Sequence, residues 1–140
     1  MDKKDVVRGF IAAVNERRLD DLGNYLAADV VDHNKIIFGE PDEPGAAFEG
    51  LKMQLDAFEP FRLTIEDLIQ EDERVVARLV MNGVNSGYHP RMPEPTGRRF
   101  VAEVIFIFTV TDAARISEIR AVSDRLGMFF QLGWDWPEVD

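Results

Sequence analysis

The order of hydrophobic periodicities in this sequence predicts a segregated α+β domain, with N-terminal helices packed on one curved antiparallel sheet. Two observations carry that prediction. Apolar residues recur at helical spacing in the first part of the chain, and from residue 61 the spacing changes to two. A third, the length of 140 residues, sets the scale: one domain over 1–140, able to bury about two-thirds of its unfolded surface in a single core.

The first helix is expected where Val6, Val7, Phe10, Ile11 and Val14 share one face. A shorter one follows, in which Leu19, Leu22, Tyr25 and Leu26 keep the period and Gly23 weakens it. Val30 to Asn34 suggests a short strand, and FGEPDEPG at 38–45 has the turn chemistry of a loop. Leu51, Leu55 and Phe58 make the stripe of a third helix, which Pro60 stops.

Then the strands begin. Leu63 and Ile65 alternate with Arg62, Thr64 and Glu66, and Glu71-Asp72-Glu73 turns the chain into RVVARLVMNGVN at 74–85. GYHPRMPEPTG is a loop. FVAEVIFIFTV at 100–110 is apolar on both faces, as a central strand is. After a turn at Asp112-Ala113-Ala114, RISEIRAVSD forms the last strand and LGMFFQL a short helix or turn. The tail at 132–140 carries two Trp side chains, which at a terminus mark a packing or dimer contact.

Composition narrows the function classes. A net charge of −10 repels phosphate backbones and anionic lipid, so neither a nucleic acid nor a membrane is an expected partner. No apolar run approaches the roughly 20 residues that cross a bilayer, and no signal-peptide core follows the N-terminus, so the expected compartment is the cytoplasm. There are no cysteines and only two histidines, His33 and His89, which lack metal-motif spacing; no metal and no cofactor are expected. P-loop, dinucleotide and nucleophile-elbow motifs are missing as well.

The candidate site is built on the last strand. Strict alternation puts Ile116, Glu118, Arg120 and Val122 on the face of Asp124, beside Leu126, Phe129 and Phe130. A carboxylate among apolar side chains holds its proton more tightly and can take one from the carbon next to a carbonyl. The competing reading is that Asp124 caps the segment starting at Arg125. His33 follows Val31 at strand spacing, so both should point inward, where His33 could orient Asp124 or polarise a carbonyl. A semi-buried His bonded to backbone is the alternative. Arg120, on a cavity face, needs an anion: Glu118 or Glu103 within the chain, or a carboxylate on a ligand. Tyr88 lies in the loop expected at the cavity mouth and could donate to a ligand, while His89 beside it is read as solvated.

Four segments together resemble the SnoaL-like proteins of the nuclear transport factor 2-like superfamily: DDLGNYLAADVVDHN at 20–34, LTIEDLIQEDERVVAR at 63–78, PTGRRF at 95–100 and SDRLGMFFQLG at 123–133. The resemblance spans Val6 to Gly133. It implies a cone-shaped α+β fold with one internal pocket and a homodimer formed through the sheet face opposite that pocket. The family includes cofactor-independent polyketide cyclases that close rings by aldol condensation. Their acid/base Asp matches Asp124, and their cavity His matches His33. The sequence departs from relatives at Arg120, which stands at a Trp position, and at Phe106, about where relatives carry an acid. The resemblance thus implies catalytic roles for Asp124 and His33, with Arg120, Tyr88, Phe106 and Phe129 contacting a small hydrophobic ligand, anionic where it meets Arg120. The expected function is a cyclase or isomerase acting on a hydrophobic carbonyl compound. A non-catalytic binding protein is the alternative, and a purely structural dimerisation domain a third reading.

Overall fold

A computed structural model describes residues 2–33, 45–90 and 92–134. Helix α1 spans Lys3–Asn15 and starts where Asp2 accepts the Lys4 N–H at 2.9 Å. Its buried side chains are the predicted stripe with Ala13 added. Arg17, at φ 55°, turns the chain away, and its guanidinium donates to the carbonyls of Leu55 (2.8 Å) and Phe58. The end of α1 is thereby fixed to the start of the sheet.

The second predicted helix is a shorter 3-10 turn, Leu19–Asn24. Tyr25 and Leu26 leave it because strand pairing claims them: the Tyr25 carbonyl accepts the Ile116 N–H at 2.7 Å, and Leu26 begins strand β1, Leu26–Asp32. The loop predicted at 38–45 lies almost wholly outside the described residues. Helix α2 covers Ala46–Ala57. Phe58, expected in that helix, instead opens β2 (Phe58–Glu71), and Pro60 sits inside the strand. Strands β3 (Arg74–Asn85), β4 (Arg99–Val110) and β5 (Ile116–Ser123) follow, then helix α3, Arg125–Leu132.

The sheet order is β1-β5-β4-β3-β2, which places the two-faced apolar strand β4 at the centre, as its sequence predicts. Neighbours from β2 to β5 are antiparallel. The exception is β1, which joins β5 in parallel, because the chain crosses from one sheet edge to the other between β1 and β2. Register breaks in β2, between Phe58 and Phe61 and between Ile65 and Asp67, bend the sheet around the helices. Fully buried Phe58, Phe100, Phe108, Leu79 and Ile116 fill its concave side against Val7 and Val14 of α1.

Where β5 has ended, Gln131 of α3 takes its place beside β4. Its side-chain amide accepts from the Val101 N–H at 2.8 Å and donates to the Val101 carbonyl at 2.9 Å. One amide group thus satisfies an edge that would otherwise present bare polar backbone.

Candidate functional site

Register decides which side chains face the helices. On β2 to β5 the concave face carries Phe61, Leu63, Ile65, Leu68, Val75, Ala77, Leu79, Met81, Phe100, Ala102, Val104, Phe106, Phe108, Val110, Ile116, Ile119, Ala121 and Ser123, with Gln70 at its rim and Asn85 at the end of β3. Among the described residues of these four strands, no ionisable side chain shares that face. The wall is therefore apolar, with side chains only partly covered at Ala121 and Phe106, which lie opposite each other across β5 and β4.

Phe106 is on the concave wall, half-buried, its ring stacked on Phe108 at 5.1 Å. Phe129 is buried and meets Trp134 edge-on at 5.4 Å. Tyr88 is 61% exposed.

Arg120 is not on the cavity face. The ladder shifts at the start of β5, where Val110 faces Ile116 but Thr109 faces Glu118. Ser117 is the extra residue of a bulge, and after it the alternation inverts. Ile116 and Ile119 are buried inside, while Glu118, Arg120 and Val122 point outward with Thr109, Ile107 and Ile105. The five-residue face expected from strict alternation is thus split.

Glu118 gathers the candidates on that outer face. Its carboxylate accepts the Thr109 hydroxyl at 3.0 Å, lies 3.4 Å from His33 Nε2, and is 3.7 Å from Arg120 Nη1. Of the two in-chain partners considered for Arg120, Glu118 is the one it meets; Glu103 lies 3.5 Å from Arg78. The hydrogen bonds from Thr109 and His33 hold the Glu118 carboxyl below its ordinary value of 4.5; burial opposes them and the Arg120 charge adds to them. A lowered folded value contributes stability above pH 4.5 that is lost as pH falls through the folded value. The melting-temperature gap between wild type and Glu118→Gln should therefore be present at pH 5 and close on further acidification. A gap that persists unchanged to pH 3 would show that the carboxylate's charge plays no part.

Asp124 ends the strand and begins a helix. It is exposed, and its Oδ1 accepts the Gly127 N–H at 2.8 Å, the geometry of an N-cap. Gly127 permits this closeness, since a Cβ there would lie 2.2 Å from Asp124 Oδ2. The apolar burial expected around Asp124 is absent, and His33 contacts Glu118 rather than approaching it through any bond among the described residues.

Asn85 escaped the sequence reading, whereas Trp134 makes the packing contact expected of the tail. Asn85 is fully buried and binds the Ala57 and Gly87 carbonyls through Nδ2, while its Oδ1 accepts from the Thr96 N–H, the Thr96 hydroxyl and Trp134 Nε1. Trp134, from the predicted tail, docks against Phe58 and Phe129. His89 is not merely solvated: it is half-buried and its ring sits 4.6 Å from that of Trp134. Trp136 lies outside the described residues.

An open depression of about 430 Å³ lined by Arg17 to Asp21 touches none of the candidates. No group of side chains that could hold a metal ion occurs among the described residues, and none of the described helices is long and apolar enough to cross a membrane.

Helices folded onto the concave side of a bent five-stranded sheet, with an apolar wall beneath them, define an α+β cone. The chain belongs to the SnoaL-like polyketide cyclase family, whose model matches residues 4–132. Among solved structures it is similar to TsrD from Streptomyces laurentii, at 27% identity and a TM-score of 0.78 over 93% of both chains. It also resembles wild-type IdmH, a candidate polyketide cyclase from Streptomyces antibioticus, at 27% identity and a TM-score of 0.77 over 95% of this chain and 99% of that one. A SnoaL-like polyketide cyclase from Agrobacterium tumefaciens shares the fold at 21% identity and a TM-score of 0.76, over 95% and 99%. A comparison with proteins of curated function finds no match.

Proposed function

We propose that this protein is a cofactor-independent cyclase or isomerase that acts on a small hydrophobic carbonyl compound by proton transfer to and from a carboxylate. The observation that carries the reading is the apolar concave wall of a chain in the SnoaL-like cyclase family. Such a wall takes up a hydrophobic substrate. In this reading Asp124 is the acid–base group that the family resemblance designates, while His33, Glu118 and Arg120 form a polar cluster on the outer face, away from the substrate. Tyr88, Phe106 and Phe129 contact the substrate.

Asp124→Asn separates chemistry from folding, because Asn caps a helix as well as Asp does. The probe is deuterium uptake at the α-carbon of 2-tetralone in D2O, read by NMR against acetate buffer of equal carboxylate concentration. The expected result is an uptake rate at least ~100-fold lower in the variant, at an unchanged melting temperature. Asp124→Ala, which also loses the cap, should cost about 1 kcal/mol of stability. Unchanged uptake in Asp124→Asn would remove Asp124 from the mechanism.

The exposure of Asp124 favours a second reading, a non-catalytic carrier or sensor of a small hydrophobic molecule. Native mass spectrometry of freshly purified protein separates the two: a retained ligand that is unchanged after incubation supports binding alone. We also propose that the outer sheet face joins two copies into a homodimer.

A further inference from the structure

We infer that Asp32 is a base of this site, the group that takes a proton from substrate carbon over the concave wall. The inference rests on the proton-transfer reading above and names a second carboxylate for it. An aldol closure needs two transfers, one from an α-carbon and one at oxygen; with Asp32 taking the first, Asp124 serves the oxygen, whose protonation also assists the α-deuterium exchange described above.

Parallel pairing of β1 with β5 sets Val31 beside Glu118 and Asp32 beside Ile119. Paired residues share a face, and Ile119 is buried on the concave side. Three further observations fix the same parity. Val30, two residues before Asp32, packs against the core. His33, one residue after it, reaches Glu118 on the outer face. Asp32 itself is half-buried, whereas Asp29 on the same strand is exposed. Asp32 is thus the ionisable side chain that β1 brings to a wall whose other four strands supply none.

Its neighbours define where a ligand would sit. One row across the concave face reads Asp32, Ile119, Phe108, Val75; the next reads Ala121, Phe106, Ala77, Leu68. The second row flanks one aromatic ring with two alanines, and Ala121, Phe106 and Leu68 are only partly covered. The two alanines of that row are smaller than the Ile119, Phe108 and Val75 side chains of the row beside it. Diagonal neighbours on adjacent strands stand roughly 7–8 Å apart, so a flat carbonyl compound resting on Phe106 and Ala121 comes within reach of the Asp32 carboxylate. In the step, the C–H bond breaks, its proton goes to Asp32, its electron pair forms the C=C bond of an enolate, and the carbonyl π pair moves onto oxygen.

The test uses 5-nitrobenzisoxazole, which needs a base and no acid. A carboxylate takes its ring C–H proton, the N–O bond breaks, and coloured 2-cyano-4-nitrophenolate forms. Wild type should open the ring faster than acetate at equal carboxylate concentration. Asp32→Asn should lose at least ~100-fold of that rate, Asp32→Glu should recover part of it, and Asp29→Asn should match wild type. Ala121→Leu, which fills the proposed space without touching a charge, should raise KM. A wild type no faster than acetate would overturn the proton-transfer reading and this inference with it. An active wild type whose rate survives in Asp32→Asn would overturn this inference alone. Should Asp32→Asn fail to fold, an unchanged KM in Ala121→Leu would overturn it independently.

Discussion

Replacing Asn85 with alanine is expected to lower the melting temperature by about 10 °C, the equivalent of roughly 3 kcal/mol in a chain of this size. The residue is 0% exposed and joins three separate pieces of chain. Through Nδ2 it holds the Ala57 carbonyl at the α2–β2 junction, at 3.3 Å, and that of Gly87 at 3.2 Å. Through Oδ1 it accepts from the Thr96 N–H at 2.9 Å and from Trp134 Nε1 at 3.3 Å. Alanine would leave these groups buried without partners, and each orphan costs about 1–3 kcal/mol before relaxation or water entry reduces the sum. Trp134 should then loosen from Phe58 and His89, and its emission should shift to the red. Thermal unfolding followed by circular dichroism and by Trp fluorescence measures both effects. A loss below about 1 kcal/mol would show that Asn85 does not hold the pieces together.

Asn85 also illustrates what the sequence could not convey. At the end of a strand Asn has the appearance of a turn residue, since its side chain so often bonds local backbone. Its actual partners are 2, 11, 28 and 49 residues away, and nothing in the adjacent sequence encodes those separations. The strands, by contrast, were legible. RVVARLVMNGVN forms β3 with the predicted limits, and the two-faced apolar run forms the central strand. Period and burial are local properties of a segment, so they survive without knowledge of its neighbours.

The site lies between these cases. Arg120 and Glu118 were recognisable as an ion pair, yet their face was not, because one bulged residue at Ser117 reverses every side chain beyond it. ISEIRAVS offers apolar residues at both parities, Ile119 and Ala121 on one and Val122 on the other, so alternation alone could not locate the bulge. Asp124 carried two readings from the start. The structure shows the capping bond to Gly127, and a helix cap can still exchange protons through an exposed oxygen. Its place in catalysis therefore rests on the turnover of Asp124→Asn.

Ile105→Lys is expected to convert the protein from a species of twice its 15.9 kDa mass into a monomer. Ile105 lies at the middle of the outer face, between Arg78 of β3 and Val122 of β5. Around it the sheet exposes Val101, Ile107, Ile69 and Val122, the last at 78%, a set of branched apolar side chains that an isolated protomer would leave in water. Charges on the same face come in both signs. Arg78 meets Asp67 at 2.7 Å and Glu103 at 3.5 Å, and Arg120 lies near Glu118. A two-fold axis presents the same patch to itself, so a face with apolar residues and paired charges of both signs is complementary to its own copy. Lys at position 105 would bring two further cations to that axis, beside the two copies of Arg78, in a surface stripped of water. Because Ile105 is 43% exposed in the protomer, the variant should keep its monomer stability within about 0.5 kcal/mol apart from the loss of dimer linkage. Sedimentation equilibrium of both proteins reads the masses directly. A monomeric wild type, or a dimer that survives the lysine, would show that this face is not where two copies meet.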